Sequence, residues 1–226
     1  MTEPEQRHGG TATRVVVLSI AVVAVLLLGA AVGLLIQLPG RDGTSVPAAD
    51  SVDVGFAQDM AVHHLQGVTM ANLARDKTAD PAVRQLAFDI QSTQLEQVGR
   101  MKGWLTFWGY PEQSVDGRYM RWMSGSGHGH GGDPGSAGTT GPMPGMATSE
   151  ELNRLRRLSG PEFDVYFLQL MLRHHQGGAP MARFGAENAG QPVVRTLADN
   201  MLRSQASESE LMRTMITERG AAPLEG

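Results

Sequence analysis

Two stretches of this chain carry adjacent histidines in a methionine frame, and each is a copy of the other. The first reads Asp53-Val-Gly-Phe-Ala-Gln-Asp-Met60-Ala-Val-His63-His64-Leu-Gln-Gly-Val-Thr-Met70. The second reads Asp164-Val-Tyr-Phe-Leu-Gln-Leu-Met171-Leu-Arg-His174-His175-Gln-Gly-Gly-Ala-Pro-Met181. A constant offset of 111 residues relates them, and it also matches Pro81, Arg84, Leu86, Gln94 and Met101 with Pro192, Arg195, Leu197, Gln205 and Met212. Imidazole nitrogen beside thioether sulfur suits soft or borderline cations, copper above all, whereas Met adds little affinity for Mg²⁺ or Ca²⁺. At helical spacing Met60 and Met70 share a face with His63, and Met171 and Met181 repeat that relation to His174. The bland reading stands beside it: Met at this spacing also serves as core filler, and a buried His as a hydrogen-bonded core residue.

Further His and Met lie between the copies, in His128-Gly-His130 and Met143-Pro-Gly-Met146. These are either a metal-binding tract or plain linker. Glu208 falls on the apolar face of its helix with Val194, Leu197, Met201, Met212 and Met215, and its counterpart is Gln97. A carboxylate there must be paired or protonated. The facing histidines are its natural partners, with Glu208 either orienting the imidazole, ligating directly, or making a purely structural bond.

The elements that must position these groups are helices. Asp53 is a plausible N-cap for a helix over 53–75, and Asp80-Pro81 caps one running to Trp108. Gly109-Tyr110-Pro111 stops it. A connector over 109–150 becomes Gly-, Ser- and Pro-rich from Gly125 to Gly145 and reads as irregular. A short helix over 150–158 precedes two more, over 161–188 and 192–219. Pro180 should kink the third long helix and free the Gln176 carbonyl. Nothing reads as a strand. Two homologous hairpins, 53–108 and 161–219, each with one apolar face, bury it by packing together as an all-α, antiparallel four-helix bundle. Both His-His faces then point inward.

Ahead of the bundle, Val15 to Ile36 is an uncharged apolar run. Its length favours an uncleaved membrane anchor over a signal peptide cleaved after Val46-Pro47-Ala48, whose apolar region is typically ~7–15 residues. Arg7 and Arg14 before the run suggest that residues 1–14 are cytoplasmic, which puts a tether over 37–51 and a domain over 52–226 outside the inner compartment. The chain has no cysteine, which removes disulfides and thiolate sites and suits an oxidising compartment. Net charge is −4 with no basic run, so nucleic acid is not an expected partner.

The doubled Phe-x-x-x-Met-x-x-His-His block, the Gln205, Glu208 and Met212 pattern and Met143-Pro-Gly-Met146 resemble the DUF305 family over about residues 51–219. That resemblance implies a ferritin-like four-helix bundle, secreted or membrane-anchored, with copper-binding relatives. It implies metal roles for His63, His64, Met70, His174, His175 and Met181, with Met143 and Met146 as accessory ligands. Gln97 departs from the pattern, which has Glu there, so the first site is expected to be the weaker one.

Three functions follow for comparison. One is an anchored extracytoplasmic protein that sequesters or delivers copper, or another transition metal. Another is a non-catalytic module docking on a cell-envelope complex, its histidines structural. A di-iron oxidase is excluded, since no Glu precedes a His by three. No nucleophile–base pair, phosphate loop or cofactor fingerprint appears, so no enzyme is expected.

Overall fold

The computed structural model describes residues 9–37, 45–124 and 138–224, and within the first segment the side chains of 14–30 and 32–33. The chain divides into two units, Met1–Ser45 and Val46–Gly226. Helix α1 (Gly9–Gln37) forms the first, its Val15–Leu28 aliphatic side chains exposed. Among the described residues no helix is long and apolar enough to cross a membrane.

The second unit holds α2 (Val52–Lys77), α3 (Pro81–Trp108), α4 (Ser149–Arg157), α5 (Gly160–Asn188) and α6 (Pro192–Glu218). Among the described residues there is no strand, only an isolated bridge between Tyr119 and Thr139. Helices α2 and α3 pack as one hairpin, α5 and α6 as the other, and α2 against α5 joins them. Along that seam Phe56 meets Gly185, His63 meets Gly178 and Gly67 meets His174, so α2 and α5 run antiparallel.

Local chemistry explains the helix ends. Asp80 accepts from Ala82 N and Val83 N, with Pro81 at the first position, as its sequence suggests. Gly109 closes α3 at φ 78°, a left-handed conformation that costs glycine little. The expected cap at Asp53 is corrected. Ser51 caps α2 by accepting from Val54 N, while Asp53 lies inside the first turn. The carboxylate of Asp53 instead takes Gly190 N at 2.9 Å and Gln191 N at 2.7 Å, satisfying donors at the start of α6. It thereby ties the two hairpins together. Helix α5 runs unbroken through Pro180.

Two apolar clusters fill the bundle. One gathers Val54, Phe56, Met60, Met101, Leu105, Met143, Met181 and Met201. The other gathers Met70, Ile90, Phe163, Phe167, Met171, Met212 and Ile216. Each such side chain stabilises the fold by about 1.5–3 kcal/mol on burial.

Of the connector, residues 109–124 and 138–150 are described, and over 138–148 they form neither helix nor strand, as composition suggests, yet they pack on the bundle. Arg121–Ser124 form a 3₁₀ turn that buries Trp122 between Phe56 and Phe184, with centroids at 5.7 and 5.6 Å. Residues 143–148 lie against α2 and α5. Gln66 clamps Ala147 in both directions, donating to its carbonyl at 2.9 Å and accepting from its N–H at 2.6 Å. Gly145 at φ 78° packs on Gly177, where a methyl group on either would strike backbone. Arg173 grips Glu151 through two bonds of 2.7 and 2.6 Å.

Candidate metal centre

The four paired histidines are buried between the two apolar clusters, His63, His64 and His174 fully and His175 all but 1%. Position along the helix dictates this: on α2, Met60 belongs to one cluster and Met70 to the other, with the His pair between them. The same holds on α5 for Met171 and Met181. Antiparallel packing then mixes the copies. Met60 joins Met181 and Met101, while Met70 joins Met171 and Met212. Each end of the histidine layer thus carries sulfur from both hairpins.

Every imidazole is held by one nitrogen. His63 Nε2 donates to the Pro144 carbonyl at 3.1 Å, and His174 Nε2 to the His63 carbonyl at 2.9 Å. His64 Nε2 donates to Gln97 Oε1 at 2.8 Å and His175 Nε2 to Glu208 Oε2 at 2.6 Å. The acceptors are carbonyl, amide or carboxylate oxygens, so in each case the proton sits on Nε2. The consequence lies on the other side of each ring. All four Nδ1 atoms are buried with no protein partner, and each is left with a bare lone pair.

Electrostatics keep those lone pairs free. Desolvation, the largest cause, lowers His63 to about 4 and His64 to about 3, and drives His174 well below the usual imidazole value. Neighbouring imidazoles add to it, and the His63 and His174 rings lie 3.9 Å apart at their centroids. Two cations at that separation would repel strongly in a dry interior. At neutral pH these three rings are uncharged bases.

The histidines of the two copies differ in what holds them. Glu208 is a carboxylate on α6 and Gln97 a neutral amide on α3, so His175 has a charge-assisted bond and His64 does not. His63 leans on the connector through Pro144, whereas its counterpart His174 leans on the other hairpin's main chain.

The residues singled out from sequence divide as follows. Met60, Met70, Met171 and Met181 are fully buried in the clusters flanking the histidines, and Met143 joins the cluster of Met60. Met146 is partly buried beside that cluster. His128 and His130 lie outside the described residues. Among the described residues no three His, Cys, Asp or Glu side chains gather as a group able to hold a metal ion. A metal ion held here would need thioether or amide groups besides the imidazoles, and the buried lone pairs with methionines in the flanking clusters fit a soft or borderline ion.

Sequence reasoning left out Asp59, which has no acidic counterpart in the second copy. Burial pushes Asp59 up to about 6, although Met120 N at 2.6 Å and Trp122 Nε1 at 2.8 Å both donate to its Oδ2. It also left out Gln66 and the Pro144 carbonyl, since nothing local marks a main-chain oxygen 81 residues away as a histidine's partner.

Comparison with known proteins settles the kinship. The model of a domain of unknown function, DUF305, matches residues 53–216. The chain belongs to the DUF305 family. A DUF305 protein from Streptomyces coelicolor, provisionally described as secreted, is 44% identical, with 79% of this chain and 100% of that one covered and a TM-score of 0.69. A DUF305 fragment from Deinococcus radiodurans is 30% identical over 74% of this chain and 96% of its own, with a TM-score of 0.58. The protein CopM in its Cu(II)-bound form is 26% identical over 74% and 96%, with a TM-score of 0.52. No curated protein matches.

Proposed function

We propose that this DUF305 protein binds copper as cargo, holding or passing on the ion through the buried histidine layer and its flanking methionines. One observation carries the reading: four neutral or hydrogen-bonded imidazoles present Nδ1 lone pairs in a dry interior, each ring already oriented by a bond at Nε2. That is the arrangement found around metal-bound histidine, where the second nitrogen fixes tautomer and ring orientation. Kinship with CopM, which has been obtained in Cu(II)-bound and Cu(I)-bound forms, supports the choice of metal. Imidazole with thioether suits both oxidation states, and the lack of cysteine suits work outside the cytoplasm.

The uncharged run Val15–Ile36 acts in this reading as a membrane anchor, with the domain on the extracytoplasmic side. The provisional description of the Streptomyces relative as secreted agrees with that side. The protein is a carrier and not an enzyme. A second reading, a docking module with structural histidines, draws support from the protein acceptor that each Nε2 already has.

The test is a competition titration of the chain with Cu(I) and Cu(II) against a chelator, repeated with His63, His64, His174 and His175 changed singly to Ala and their folding followed by circular dichroism. Weaker copper binding in folded variants supports the carrier. Unchanged binding removes the histidine layer from the account and leaves the docking module.

A further inference from the structure

Two glutamines share the histidine layer, and no hydrogen bond described above uses them. Gln94 on α3 and Gln205 on α6 occupy equivalent places in the two copies, and both are buried. Neither amide atom of Gln94 has a partner, and neither does Oε1 of Gln205. Leaving such a group buried and unpaired costs about 1–3 kcal/mol. Both hairpins bear that cost at the same position.

Each amide lies against a glycine, and the other hairpin's imidazole arrives at the same glycine. A methyl group on Gly67 would collide with Gln94 Oε1 and stand 3.1 Å from His174 Cε1. On Gly178 it would stand 3.5 Å from Gln205 Oε1 and 3.5 Å from His63 Nδ1. At each glycine an amide oxygen from one hairpin thus converges with an imidazole of the other, on Cε1 and Nδ1 of His63 at Gly178 and on Cε1 of His174 at Gly67. An amide oxygen and a bare Nδ1 are both acceptors and cannot satisfy one another. A shared electrophile satisfies both.

We propose that Gln94 and Gln205 are accessory oxygen ligands, completing the surroundings of an ion held on His174 and His63 respectively. Amide oxygen is a harder donor than thioether. It therefore favours the divalent over the monovalent ion and equips one nitrogen–sulfur layer to accept both. This inference rests on the copper reading above and adds to it the residues that set oxidation-state preference.

The experiment compares the full chain with Q94L/Q205L, using Cu(II) and Ag(I) as probes, the latter a redox-inert stand-in for the monovalent ion. Loss of Cu(II) affinity by about tenfold or more, with Ag(I) affinity within twofold, is the expected result. The Cu(II) electron paramagnetic resonance spectrum should change with it, and the melting temperature should hold or rise, since buried orphan atoms are removed. Equal loss for both ions, or no loss for Cu(II), overturns the proposal. The second outcome would leave each amide to a water bridging it to the imidazole. Q94E/Q205E keeps an oxygen in place and should bind Cu(II) at least as tightly as the parent chain; weaker binding again overturns it. If the parent chain itself binds neither ion, the copper reading has failed, and the inference fails with it.

Discussion

Acid should unfold this protein early, and the histidine layer sets the size of the effect. His63, His64 and His174 are lowered to about 4, to about 3 and well below the usual value, while the unfolded chain titrates them near 6.5. Between those limits the unfolded state binds three more protons than the folded one, so stability falls as pH drops below 6.5. Each group contributes about 1.4 kcal/mol per pH unit, or roughly 2 kcal/mol by pH 5. Asp59 works in the opposite direction. Its folded value is raised from 3.8 to about 6, so between those values the folded state is the one that holds the extra proton, and acidification returns about 1 kcal/mol by pH 5. The net loss from pH 7 to pH 5 is roughly 4–5 kcal/mol, against a total stability of about 5–15 kcal/mol for a domain. Urea melts at pH 7.5, 6 and 5, followed by tryptophan fluorescence and circular dichroism, read this directly. Replacing His64 with Gln should remove about a third of the histidine slope whatever it does to stability at neutral pH. A midpoint that barely moves between pH 7.5 and 5, or a slope unaltered in His64→Gln, would refute the reasoning.

Three further outcomes are expected. Gly67→Ala should cost about 1–3 kcal/mol in a urea melt, because its methyl would collide with Gln94 Oε1 and force that buried amide to move; Gly178→Ala should cost less, its nearest neighbour being 3.1 Å away. Glu208→Gln makes the second copy resemble the first by replacing a charge-assisted bond with a neutral one, and should lower stability by about 1 kcal/mol and weaken copper binding in a titration. Gln66→Ala removes both bonds to Ala147 and should let residues 143–148 lift from the bundle, seen as faster amide exchange there with little change at α3 or α6.

The repeat made the bundle legible. An offset that carries Pro81 onto Pro192 and Met101 onto Met212 can only describe two like hairpins, and a helical face that holds Met, His and Gly must be buried against its copy. That Glu208 pairs with a histidine was legible for the same reason, since a lone carboxylate on an apolar face needs a partner, but that the histidine is His175 was not. Nor was pairing across the seam. Met60 and Met70 flank the His pair along one helix, but that Met60 joins Met181 and Met70 joins Met171 follows from antiparallel packing, a fact of tertiary register that no single helix contains. Asp53 shows the same limit. Its place at a helix start suggests a local cap, whereas its carboxylate spans 137 residues to reach Gly190. Composition marked the connector as irregular but not where it docks: Gly145 is there because only a bare backbone fits against Gly177.

Nitrogen-15 chemical shifts of the histidine side chains, recorded before and after Ag(I) is added, bear most directly on the ligand assignment. The account predicts the neutral, Nε2-protonated form for His63, His64 and His174 at neutral pH, and on adding metal a large shift at Nδ1 of one or more of the four rings. Nδ1 atoms protonated in those three at the outset, or Nδ1 resonances that ignore the metal, would contradict it.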